Sequence, residues 1–275
     1  PGQFTHLAPL PGRAGKGHDH AVAFSGKAMI TLIVGCTGTL LAALVQGCAG
    51  FGMGMISVSS LMLVLPPAEA VPVTLLLSTV NTGLAAYCAR GFIDKRLVAT
   101  LSAAAAVGMA FGMVALHVVP VPVYRFSVGT VVFLFALVLL SGWRKPMPWR
   151  PAVFFPVGML SGFMGGSSAM SGPPVVLFLA NQTMRRDNFR ASLLAYFFML
   201  GWIFYALNFA GGLLFGSQGL FSAQVFKYAA VFLLPMLGGT LLGMRLAPHV
   251  PDELFRNIAI GIVAVMGLLL LVTGI

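Results

Sequence analysis

Gly158-Met-Leu-Ser161-Gly162-Phe-Met-Gly165-Gly166-Ser167-Ser168-Ala-Met-Ser171-Gly172-Pro173-Pro174-Val-Val-Leu-Phe-Leu179 is the stretch whose reading decides the fold. It lies in a charge-free run, residues 151–184, long enough to enter a bilayer. One smooth helix is excluded, because Gly165-Gly166 and Gly172-Pro173-Pro174 weaken or interrupt the backbone ladder. Within a bilayer, broken backbone survives only where protein buries it or a polar cavity meets it. Ser161, Ser167, Ser168 and Ser171 cluster at the interruption. The reading is two half-helices meeting at a small-solute site, with a helix N-terminus offering amide donors to an anion.

The rest of the composition agrees with a membrane setting. The chain is 59% hydrophobic and 8% charged, with mean hydropathy +0.97, which excludes a water-soluble domain of this size. Its net charge of +10 is spread over single or small groups of Lys and Arg between apolar runs. That pattern marks topology and contact with anionic lipid, and argues against nucleic acid as a partner. Cys36, Cys48 and Cys88 show no metal-ligand spacing and are expected as buried free thiols. No metal and no cofactor are expected.

Working outward, residues 28–68 carry no charge and contain a second glycine cluster, Gly47-Cys-Ala-Gly50-Phe51-Gly52-Met-Gly54. This run is either a span plus a re-entrant piece or one long hairpin. Helices are expected over 70–89, 97–119, 123–141, 225–246 and 254–275, with a turn through 211–219. The domain reading is a disordered tail at 1–27, a first membrane repeat at 28–142, a cytoplasmic connecting loop at 143–150 and a second membrane repeat at 151–275.

The two halves match internally. Gly50-Phe51 and Gly54 match Gly162-Phe163 and Gly166 at an offset of 112, whereas Gly108, Gly112, Pro120 and Arg125 match Gly239, Gly243, Pro251 and Arg256 at 131. In the first half the basic turn is 90–96, after the second helix; in the second half it is 185–190, directly after the break. Equivalent turns therefore prefer opposite sides, as in inverted-topology transporters. The fold class is an all-α integral membrane protein of two inverted-topology repeats, each with a broken or re-entrant helix pair.

All six carboxylates, Asp19, Glu69, Asp94, Asp187, Asp252 and Glu253, fall at segment ends or in the tail. A buried carboxylate relay and a cation site are thereby disfavoured. Hydroxyls, carboxamides and backbone amides remain, and these suit an oxyanion. The candidate binding residues are Gly50, Phe51, Gly52, Gly54, Asn81, Gly165, Gly166, Ser167, Ser168, Ser171, Gly172, Pro173 and Arg190, with backbone amides of 165–171 as the principal donors. Gln46, Tyr196 and Asn208 are secondary. Packing competes at every glycine and is preferred for the pairs Gly108/Gly112 and Gly239/Gly243. Arg190 also reads as a topology anchor, Asn81 as an interhelical hydrogen-bonding residue, and Phe197, Phe198 and Phe204 as packing or lipid-facing rings.

The chain resembles the TauE/SafE family of sulfite exporters and toluenesulfonate permeases from about residue 28 onward. The resemblance lies in Gly50-Phe51-Gly52-x-Gly54 with Pro66-Pro67-x-x-Ala70, in Ser161-Gly162-x-x-Gly165-Gly166-x-x-x-x-Ser171-Gly172-Pro173, and in Asn188-Phe189-Arg190-Ala191-Ser192. It departs at Ser168-Ala169, where the family often has a further glycine. The resemblance implies a secondary transporter of sulfite, sulfoacetate or other sulfonates in the bacterial inner membrane, working by alternating access. An anion channel with re-entrant helices and a permease for carboxylates or other small anions are the alternatives. A membrane enzyme is disfavoured, since no buried His/Asp/Glu/Cys constellation is visible. Proton coupling and homo-oligomer formation are left open.

Overall fold

The computed structural model describes residues 15–141, 151–180, 182, 184–215 and 220–246, with isolated positions between 261 and 272. Among the described residues nine α-helices run in order: α1 (Gly15–Ala49), α2 (Met53–Met62), α3 (Pro67–Cys88), α4 (Lys95–Val118), α5 (Val121–Leu140), α6 (Pro151–Ser168), α7 (Gly172–Ala180), α8 (Arg186–Phe215) and α9 (Ala223–Leu246). A 3-10 turn, Arg90–Phe92, joins α3 to α4. No strand occurs among the described residues. The expected loop at 143–150 and most of the expected last helix lie outside them.

Among the described residues, five segments are long and apolar enough to cross a membrane: Met29–Ala49, Pro67–Cys88, Lys95–Leu116, Asp187–Gly211 and Ala223–Leu246. The outer surface carries Phe111, Trp202, Phe209, Leu213 and Leu234, all more than half exposed, while Thr39, Gln46, Ser57, Thr74, Asn81 and Thr240 are buried. In water this distribution would waste apolar surface and desolvate polar groups; in lipid each is placed where it costs least. The chain is a multi-pass membrane protein.

Of the two readings of the uncharged run 28–68, the structure agrees with a span followed by a short piece: one spanning helix, a break at 50–52, and α2, which at 10 residues is too short to cross. Two other expectations change. Helix α1 starts at Gly15, inside the stretch expected to be a disordered tail. Helix α8 runs through Gly211-Gly212 to Phe215, so no turn forms at 211; Gly211 has nothing near it and the helix ladder simply continues.

Helix pairing is reciprocal. The most extensive packing is α4 along α6 and α1 along α9; α3 lies on α8, and α3 meets α9 as α8 meets α4. The glycines explain the close approach. Gly108 and Gly112 of α4 sit on the carbonyls of Met159 and Phe163 of α6, and Gly239 and Gly243 of α9 sit on the carbonyls of Leu40 and Leu44 of α1. Small residues here let backbones touch, the packing role expected of these pairs. The two sets of contacts superimpose when α6 is aligned on α1 at an offset of 119 and α9 on α4 at 131. Gly47 against Thr240 and Gly166 against Met109 obey the same two offsets. The expected offset of 112 is therefore replaced by 119. It had aligned glycines with different jobs: Gly50 lies in a break, whereas Gly162 is packed inside α6 on the Ala105 carbonyl.

Candidate functional site

The chain is interrupted twice at equivalent places. Helix α1 ends at Ala49, and Gly50 (φ 83°) and Gly52 (φ 110°) turn it through left-handed backbone before α2. Helix α6 ends at Ser168, and Ala169 (φ 57°) turns it before α7. Ala169 is the only non-glycine residue at positive φ among the described residues, a conformation that costs an L-residue energy and persists where surrounding contacts hold it. At the offset of 119, Gly50 corresponds to Ala169.

Each interruption is fixed by hydrogen bonds. The Ala169 amide donates to Gly165 O at 2.9 Å and the Met170 amide to Met164 O at 3.3 Å, closing α6. Tyr196 on α8 donates its hydroxyl to Ser161 Oγ at 2.8 Å, and Ser161 Oγ in turn donates to the Ser171 carbonyl. At the first break the Gly50 amide donates to Gln46 O at 2.8 Å. The stem of Arg190 packs on Gly50, and its Nη2 donates to Gly47 O, placing a cation at the carbonyl end of α1.

The two breaks touch. Gly54, in the first turn of α2, lies against the Ala169 carbonyl. Between them is a cavity of about 20 Å³ lined by Gln46, Gly52, Met53, Gly54, Met55, Ser78, Ala169, Met170, Ser171, Gly172 and Phe197. It holds about one water-sized body. A second, apolar cavity of about 230 Å³ between α4, α5 and α6 shares Met170 as a wall and includes Ser167 and Ser168.

Helix α2 opens toward the polar cavity with Met53, Gly54 and Met55, whose amides have no carbonyl four residues back within the helix. Helix α7 offers less, because Pro173 and Pro174 have no N–H. The cavity is thus lined by the α2 terminus, Ser78, Ser171 and Gln46, with no carboxylate among the described residues in its wall. Such a surface suits a small oxyanion.

The sulfite exporter TauE/SafE profile matches residues 35–270. The chain belongs to this family. A relative from Cupriavidus necator, described as a probable sulfite/organosulfonate exporter TauE, is 29% identical over 241 residues, covering 84% of this chain and 90% of the relative. No solved structure matches. Membership in a family of exporters makes the chain a membrane transporter and not an enzyme.

Of the sites expected from sequence in this TauE/SafE chain, the structure gathers Gly52, Gly54, Ser171 and Gly172 around the polar cavity. Gly50, Phe51, Pro173 and Arg190 stand beside it without lining it. Five expected contacts sit elsewhere. Gly165 and Gly166 are inside α6: Gly166 abuts the Met109 carbonyl of α4, and the position a Gly165 side chain would take is 3.2 Å from Ser171 Cβ and 3.3 Å from Met109 Cε. Ser167 and Ser168 turn their hydroxyls back to the Met164 carbonyl and face the apolar cavity. Residues 165–168 form the C-terminal end of a helix, where carbonyls and not amides lack helical partners. Asn81 is buried against α9, its Oδ1 accepting from Thr240 Oγ1 at 2.8 Å.

Gln46, Ser78 and Phe197 are the lining residues that a search for glycine and serine clusters passes over or ranks low. Gln46 carried the only early signal, a carboxamide four residues before Gly50. Phe197 reads from sequence as a packing ring, and nothing in its neighbours distinguishes it. The three cysteines are free, but only Cys48 is buried, donating to Gly243 O at 2.9 Å; Cys88 is exposed, contrary to expectation.

Proposed function

We propose that the chain is a secondary transporter moving sulfite, sulfoacetate or other small sulfonates across the bacterial inner membrane. The observation that carries this reading is the cavity walled by both helix breaks, with free amides of α2 on one side and Ser171 on the other. The relative's description as a sulfite/organosulfonate exporter supports sulfur oxyanions as the cargo.

Alternating access of two inverted halves is the working mechanism. Reciprocal contacts, α4 on α6 and α1 on α9, are what a two-fold relation between halves produces, and the placement of basic residues at 90–96 and 185–190 supports opposite orientations. At about 20 Å³ the cavity is too small for a sulfonate head. The halves must part at the Gly54–Ala169 contact to admit one, and rocking at that contact exposes the site to one side at a time. Outward movement of an anion from a cell negative inside is favoured by the membrane potential.

The test is counterflow in proteoliposomes with sulfite, short sulfonates, carboxylates and sulfate, with and without a proton gradient. Saturable exchange of sulfur oxyanions is expected. Stepwise conductance in a planar bilayer, or a preference for carboxylates, contradicts the proposal.

A further inference from the structure

The polar cavity carries information on the charge of its cargo, an inference that rests on its being the anion site. Its polar wall is made of neutral groups: Gln46, Ser78, Ser171 and the backbone. Gln46 is 2% exposed, and its Nε2 has no hydrogen-bond partner. A buried carboxamide donor left unpaired is costly, and a ligand oxygen in the cavity removes that cost. Its position is set by the last turn of α1, where Gln46 O accepts the Gly50 amide at 2.8 Å.

No ionisable side chain among the described residues lines the cavity. Arg190 is behind the wall, its stem on Gly50 and its Nη2 on Gly47 O. On α1 itself Cys48 is turned to Gly243 O; Glu69 lies in the first turn of α3, which packs on α2; and Lys227 and Arg245 on α9, which packs along α1, are exposed. The α2 terminus contributes roughly half a positive charge. The penalty for desolvating an ion rises steeply with its charge. Neutral donors, one helix end and a cation held behind the wall compensate one negative charge and leave a second uncompensated.

We infer that this site selects singly charged oxyanion heads, sulfonate and hydrogen sulfite, against sulfite dianion and sulfate, and that Gln46 Nε2 donates to an oxygen of the bound head.

Calorimetric binding to the purified full chain in detergent tests this, using methanesulfonate, sulfate and sulfite across a pH series that spans sulfite's second ionisation. Methanesulfonate should bind at least about tenfold tighter than sulfate, with affinity independent of pH. Sulfite affinity should rise as pH falls, following the hydrogen sulfite fraction. Gln46→Met, which keeps length and loses the donor, should weaken methanesulfonate about tenfold at an unchanged Tm, and Gln46→Glu should abolish binding. Equal affinity for sulfate, sulfite affinity that rises with pH, or wild-type binding by Gln46→Met overturns the inference. If Gln46→Met fails to fold, the wild-type ranking of methanesulfonate, sulfate and sulfite decides alone. Failure of all three anions to bind removes the transport reading itself and is distinguishable from failure of the ranking.

Discussion

Gly54 of α2 and Ala169 of the second break are in backbone contact: the space a Gly54 side chain would occupy is filled by the Ala169 carbonyl oxygen. This contact joins the two interruptions of the chain and forms one edge of the polar cavity. The neighbour there is backbone at a strained φ of 57°, so it cannot yield as the end of a side chain would.

Gly54→Ala should therefore force the breaks apart. We expect a loss of about 1–3 kcal/mol from overpacking and loss of anion exchange. Gly211→Ala is the comparison, since nothing lies within 4 Å of that position; it should stabilise α8 by about 0.4–1 kcal/mol. Thermal unfolding in detergent, paired with counterflow, checks both. A Gly54→Ala protein with wild-type Tm and exchange would show that the contact is dispensable.

Reciprocal packing makes a symmetric prediction. Gly108→Val opposes the Met159 carbonyl and Gly239→Val opposes the Leu40 carbonyl. Each should destabilise by about 1–3 kcal/mol, and the two Tm losses should be similar. A large loss from one and none from the other would separate the halves energetically.

The Tyr196–Ser161–Ser171 relay predicts an ordered pair of effects. Tyr196→Phe removes the donor to Ser161, whose hydroxyl still reaches the Ser171 carbonyl; the cost should be about 0.5–1.5 kcal/mol. Ser161→Ala strands the buried Tyr196 hydroxyl and frees the Ser171 carbonyl, so it should cost more, about 1–3 kcal/mol. Chemical denaturation of the two variants gives the order, and the reverse order would contradict the relay.

Arg190→Gln should weaken methanesulfonate binding and loosen the first break, because the guanidinium donates to Gly47 O and its stem covers Gly50. Arg190→Lys should recover charge without the planar fork and so only part of the affinity. If both variants bind as wild type does, Arg190 serves only as a positive topology anchor.

The sequence announced the membrane class and the two interruptions clearly, because glycine and proline in apolar runs leave little choice of backbone. Gly108/Gly112 and Gly239/Gly243 were legible as packing pairs from their spacing alone. What sequence could not resolve was which glycines turn the chain and which admit a neighbour. Gly165-Gly166 looks like a break, yet α4 fills the space beside it and the helix continues to Ser168. The real break falls at Ala169, a residue with good helical propensity held at positive φ by its surroundings. That shift of a few residues also reversed the chemistry assigned to 165–168, from amide donors to a carbonyl end. Gln46 escaped emphasis because its significance lies in a missing partner, which only three-dimensional placement reveals.

The central claim, that the anion sits between the two breaks, is tested most directly by substrate protection. Cysteines placed singly at Ser78 and Ser171, which line the polar cavity, and at Ser127, which lines the apolar one, are introduced into a cysteine-free background. Alkylation by N-ethylmaleimide is then timed with and without methanesulfonate. The account predicts that methanesulfonate slows labelling at Ser78→Cys and Ser171→Cys and leaves Ser127→Cys unchanged. Protection at Ser127→Cys alone, or at none of the three in a protein that still exchanges the anion, would contradict it.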